Sequence, residues 1–138
     1  MRNLSSEVQI RKIASGAAAG TTDIESSVVD FTGYDGVLIF TTIATAADNN
    51  TLKIQQGGKD LVGAVVSADE NGQVVFVDVS RPLGGQGGEL KAVITRGTST
   101  ATGDIYAILY NGRTRPEVNF VDAVDGIKGV LAISPATV

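Results

Sequence analysis

The stretch Gln73–Ser80, QVVFVDVS, alternates strictly between two sets of side chains. Successive residues of an extended chain point to opposite sides. Val75, Val77 and Val79 therefore share one face, and Val74, Phe76 and Asp78 share the other. The segment is rich in β-branched residues and sits between DENG (Asp69–Gly72) and Pro82. Asn71-Gly72 suits the positive φ of a hairpin turn. Proline removes a ladder donor, so pairing is expected to stop near Pro82. The stretch reads as a β-strand.

Working outward, the same grammar recurs. SEVQIRKIA (Ser6–Ala14) has period two, with Val8, Ile10 and Lys12 on one face and Glu7, Gln9 and Arg11 on the other. VLIFTTIA (Val37–Ala44) is an apolar, β-branched strand after the turn TGYDG. In TLKIQQ (Thr51–Gln56), Leu52 and Ile54 point inward. ELKAVITR (Glu89–Arg96) and DIYAILYN (Asp104–Asn111) are further strands, and IESSVVDF (Ile24–Phe31) is a weaker one. LVGAVVSA (Leu61–Ala68) is open between a strand and a short buried helical turn. GAAAGTTD (Gly16–Asp23) reads as a small-residue loop and GGQGG (Gly84–Gly88) as a flexible one. GVLAIS, residues 129–134, is one more possible strand. About eight short strands punctuated by glycine turns predict an all-β chain, a single jelly-roll-like β-sandwich. Its domain is expected over residues 1–116. Residues 117–138 form an extended C-terminal tail that packs on its own or a neighbouring subunit.

The 138 residues suit one domain. The chain has no Cys and no His, which removes disulfides, thiolate metal sites and the commonest general base. No nucleophile–base set converges in the sequence, so an enzyme, a catalytic residue, a metal and a cofactor are all unexpected. GGQGGE is followed by a strand rather than by the helix that a phosphate-binding glycine loop needs. Asp69-Glu70, and Asp122 with Asp125, supply too few carboxylates for a calcium loop. The net charge of −4 argues against a nucleic-acid partner. No apolar run is long enough to span a bilayer, so no membrane partner is expected. MRNLSSEVQIRK lacks the apolar region of a secretion signal, and a protein kept in the compartment where it is made is expected.

DIYAILYN carries the sharpest signal. Ile105, Ala107 and Leu109 form one face, and Tyr106, Ile108 and Tyr110 the other. A sandwich strand meets the core with one face only, so the second apolar face needs a cover. Either the chain's own tail or a neighbouring subunit supplies it. Tyrosine suits an interface, because the ring buries area while the hydroxyl keeps a hydrogen bond. Tyr106, Ile108 and Tyr110 are therefore the candidate subunit interface. Arg113 and Arg115 form a small basic cluster, either a solvated turn or a contact to an acidic partner.

Four segments carry a family resemblance: VVDFTGYDGVLIF (Val28–Phe40), VDVSRP (Val77–Pro82), AVITRGTSTATGDIYAILYNGRTRP (Ala92–Pro116) and SPA (Ser134–Ala136). They resemble head decoration, or cement, proteins of tailed bacteriophages, which are jelly-roll-like sandwiches. LGGQGGEL (Leu83–Leu90) matches no motif of that family. The resemblance implies a virion structural protein, made in the host cytoplasm and seated on the outer surface of the capsid. Its partners would be the major capsid protein, with Arg113 and Arg115 as contacts, and further copies of itself in a homotrimer that bridges capsid subunits. The alternatives are another virion part, such as a head fibre or tail component, and a carbohydrate-binding sandwich. The chain has no Trp for stacking sugars.

Overall fold

The computed structural model describes residues 4–112 and 126–129. A single 3-10 turn, Leu4–Ser6, precedes eleven strands among the described residues. They are β1 (Gln9–Ala14), β2 (Ala17–Gly20), β3 (Ile24–Glu25), β4 (Val29–Asp30), β5 (Gly36–Thr45), β6 (Thr51–Gln56), β7 (Lys59–Ser67), β8 (Gln73–Ser80), β9 (Glu89–Thr95), β10 (Thr100–Thr102) and β11 (Ile105–Tyr110). All pairings are antiparallel.

Two sheets form. In the first, β5 is the spine. It pairs with β8 along one side, and with β11 and then β10 along the other; β1 and β2 complete that flank. In the second, the order is β3-β9-β6-β7, with β4 also on β9. Three strands are interrupted: β1 runs on as β2, β3 as β4, and β10 as β11. Counting each once leaves eight strand positions, ordered 1-8-3-6 in one sheet and 2-7-4-5 in the other. First pairs with last, second with seventh, third with sixth and fourth with fifth. That nesting is a long hairpin rolled on itself, a jelly roll.

The core lies between the sheets. Val37, Ile39 and Ile43 of β5 and Ile105, Ala107 and Leu109 of β11 are buried on the inner face of the first. Leu52 and Ile54 of β6 and Leu90, Ala92 and Ile94 of β9 meet them from the second. These are the inward phases of the alternations in the sequence.

Several local expectations change. The loop Gly16–Asp23 contains β2, which carries little side-chain information because it is almost all alanine. It is held instead by Arg96, whose guanidinium donates to the carbonyls of Ala18 (2.8 Å), Thr22 (2.5 Å) and Thr100 (3.1 Å). Leu61–Ala68 is strand β7 and its end, with a register shift where Gly63 takes a φ of +81°. DENG does not close a hairpin. β7 pairs with β6 and β8 with β5, so the turn crosses between sheets. It is anchored to the first sheet by Gly72 N–H to the Ile43 carbonyl (2.7 Å) and Ala46 N–H to Asn71 Oδ1 (2.8 Å). Gly84–Gly88 is tied down at several points. Arg81 Nη1 donates to the Gly85 carbonyl (3.1 Å), Thr32 Oγ1 to the Gly87 carbonyl (3.0 Å) and Phe31 N–H to the Gly88 carbonyl (3.1 Å). The domain boundary at 116 lies outside the described residues, as does the tail apart from 126–129.

At one end of the sandwich a buried amide joins three loops. Asn50 is 1% exposed. Its Nδ2 donates to Thr100 Oγ1 (2.8 Å), its Oδ1 accepts from Gly97 N–H (2.7 Å), and its carbonyl accepts from Ala68 N–H (2.8 Å). Asn50→Ala strands two buried polar partners, each costing about 1–3 kcal/mol. A loss of roughly 2 kcal/mol or more is expected, lowering Tm by about 8 °C in thermal unfolding. An unchanged Tm would contradict this role.

Candidate interaction surface

The two sheets turn different outer faces to the surroundings. That of the second sheet is largely polar and charged, with Val93 and Val65 in the row that holds Glu25 and Lys53. Lys91 Nζ meets Glu25 Oε1 at 3.1 Å, and Lys53 Nζ meets Asp60 Oδ2 at 3.4 Å. That of the first sheet is apolar. Directly paired residues of an antiparallel ladder share a face, so the registers give rows across it. One row is Ile10, Ile108, Leu38 and Asp78; the next is Lys12, Tyr106, Phe40 and Phe76. Below them Thr42 pairs with Val74, and above them Gly36 stands between Tyr110 and Ser80.

The rings of this face are fixed by polar pins at its margin. Tyr106 and Phe40 pack with centroids 5.5 Å apart at 33°. Tyr106 Oη donates to Asp104 Oδ2 at 3.3 Å, and Lys12 Nζ lies 3.6 Å from the same oxygen. Asp104 is held below the usual carboxylate range, first by the Gly16 N–H that donates to Oδ1 at 2.6 Å and then by Lys12. Tyr110 lies over Gly36, where any Cβ would collide with its ring and hydroxyl. That hydroxyl donates to Asp78 Oδ1 at 2.5 Å. Burial, followed by the Asp78 carboxylate, pushes the Tyr110 hydroxyl up to about 12. It therefore stays a donor throughout the physiological range.

Tyr106, Ile108 and Tyr110 are brought together on this face, each half-buried. Arg113 and Arg115 lie outside the described residues. Sequence reasoning did not nominate Leu38, Phe40, Val74 and Phe76 for the same surface. The signal was present: the strands of β5, β8 and β11 are each apolar in both phases of their alternation. Phe76 is 60% and Val74 64% exposed, both on β8.

The concavities offer less. One of about 340 Å³ is lined by Gln9, Arg11, Lys12, Ser27 and Asp30 among others. Another of about 180 Å³ is lined by Val28, Gln55, Glu89 and Lys91 with two glycines. Among the described residues no cluster of acidic side chains could hold a metal ion. No described helix is long and apolar enough to cross a membrane.

No protein-family model matches the chain, and no curated protein sequence matches it. Among solved structures it is similar to the coat protein of Tobacco streak virus, with a TM-score of 0.43 and 12% identity over 85% of this chain and 96% of that one.

The tyrosine pin has a pH signature. Its folded pKa of about 12 lies above the ordinary value of 10.0, so the fold favours the protonated phenol. The stabilisation is complete below pH ~10 and is lost as pH rises toward ~12. A phenolate absorbance titration should show a late-titrating tyrosine that disappears in Tyr110→Phe. Loss of no late step in that variant would contradict the assignment.

Proposed function

We propose that this chain is a non-enzymatic virion structural protein that binds the outside of an assembled phage head and bridges its subunits. The observation that carries this reading is the apolar outer face of the first sheet, rigidly pinned by Tyr110–Asp78 and Tyr106–Asp104. A protein without a docking partner exposes such a face at a cost in solubility. The segments that resemble decoration proteins include Val77–Ser80 of β8 and all of β11, on two strands of that face. The jelly roll is an architecture used by capsid domains, and the sequence resemblance, not the fold, points to the head surface.

In this reading Tyr106, Ile108 and Tyr110 bury contact between subunits once the chain is seated on the shell, where copies are arranged about a threefold. Binding only the assembled shell shifts the equilibrium toward assembly, and many copies on one shell add avidity. Arg113 and Arg115, which lie outside the described residues, are the proposed contacts to acidic groups of the capsid protein.

The test is co-sedimentation with undecorated heads. The wild-type protein is expected in the pellet across a range of salt, since apolar contact is screened little. Ile108→Asp, on the outer face, is expected to keep wild-type circular dichroism and to lose at least about tenfold in head binding, because it buries an unpaired carboxylate. Protein that stays in the supernatant at every salt concentration would remove the reading's support. So would an Ile108→Asp variant that binds as the wild type does.

A further inference from the structure

β8 is an outer strand of the first sheet, and it carries none of the devices that normally blunt a sheet edge. Natural edges are guarded by bulges, lysines, prolines or brevity. β8 is eight residues long and pairs with β5 through eight consecutive positions, Gly36↔Ser80 to Ile43↔Gln73, without a register shift. It holds no Lys, Arg, Pro or Gly, and its one charge, Asp78, already accepts the Tyr110 hydroxyl. Among the described residues its backbone pairs with no strand but β5. The corresponding edge of the second sheet, β7, is guarded: it starts with Lys59-Asp60 and is broken by the bulge at Gly63.

From this we infer that β8 is a self-association edge, pairing antiparallel with β8 of a second copy across a twofold axis at Phe76, so that the two first sheets become one continuous sheet. The sequence of β8 selects both the occupant and the register. A twofold normal to the sheet keeps outer face beside outer face, so outward residues must oppose outward residues. With Phe76 opposite Phe76, Val74 faces Asp78 of the partner and Val75 faces Val77. The two carboxylates then stand well apart. Sliding two residues one way sets Phe76 against a carboxylate; sliding two the other way sets it against Val74, loses the aromatic pair and leaves only residues 73–77 of the strand opposed instead of 73–79. Sliding four sets Asp78 against Asp78, a like-charge pair that a ladder disfavours.

The Phe76 register also completes an existing pattern. Tyr106, Phe40 and Phe76 already form one row across three strands. Across the twofold that row continues through the second Phe76, Phe40 and Tyr106. Aromatic cross-strand pairs are among the more stabilising ones. Phe76 and Val74, the most exposed large side chains of the face, lie beside the axis. The inference does not rest on the virion reading. A twofold contact doubles whatever other assembly the copies make.

The chain has no Cys, so single cysteines report the register. Phe76→Cys places two thiols in directly opposed positions, about 4.5–5.5 Å apart at the Cβ atoms, and is expected to form a disulfide-linked dimer under mild oxidation. Val74→Cys places its copy four residues away along the ladder, roughly 13 Å, and is expected to cross-link far more slowly. Light scattering of the untagged wild type should give a mass corresponding to an even number of chains. Phe76→Lys, which sets two cations face to face on an exposed position, should halve that mass with circular dichroism unchanged. An odd number of chains, a mass unmoved by Phe76→Lys, or equal cross-linking at positions 74 and 76 would overturn the inference. If Phe76→Lys unfolds, the cysteine pair decides alone.

Discussion

The structure depends on β5 being apolar in both phases. Its ten residues, Gly36–Thr45, supply the core through Val37, Ile39 and Ile43 and the outer face through Leu38 and Phe40. A sandwich strand meets the core with one face, so the second apolar phase of β5 goes beyond what the core requires. β5 takes β8 on one side and β11 with β10 on the other. The flanking strands share the pattern, with Ile108 and Tyr106 in the outer phase on one side and Phe76 and Val74 on the other.

The change from β11 to β10 along β5 is set by small polar groups rather than by apolar packing. Gly103 lies so close to the Thr42 hydroxyl that a Cβ has no room. Its N–H donates to the Thr42 carbonyl at 2.8 Å. The buried Thr41 hydroxyl reaches the carbonyls of Gly103 (3.2 Å) and Asp104 (2.9 Å). Asp104 then receives Gly16 N–H at the matching break between β1 and β2. The two interruptions lie side by side, so adjacent strands bend together. Asp104 also accepts from Tyr106 Oη, so the bend of the sheet and a ring of its outer face share one carboxylate.

Much of this was legible in the residues. The alternations of Gln73–Ser80, Thr51–Gln56 and Asp104–Asn111 predict strands, inward phases and an all-β jelly roll, and the folded chain has all three. Illegible parts have physical reasons. β2 and β10 are built from Ala, Gly and Thr, so periodicity has no contrast there; Arg96 and paired backbone determine them instead. DENG has the composition of a hairpin turn, yet β7 and β8 belong to different sheets, a choice made by nonlocal pairing with β6 and β5. At the surface, the apolar face of β11 announced itself through Tyr106, Ile108 and Tyr110. Its extension to Phe40 and Phe76 needed the registers, because only they place those rings in one row.

The central claim is that the first sheet's outer face is a contact surface and the second sheet's is not. Hydroxyl-radical footprinting of the free protein against the protein bound to undecorated heads tests it most directly. The account predicts that Leu38, Phe40, Tyr106 and Ile108 become protected on binding, while Val62 and Leu83, both fully exposed and off that face, keep their labelling. Unchanged labelling of the four, with protection confined to Val62, Leu83 or the charged face around Lys53 and Lys91, would contradict it.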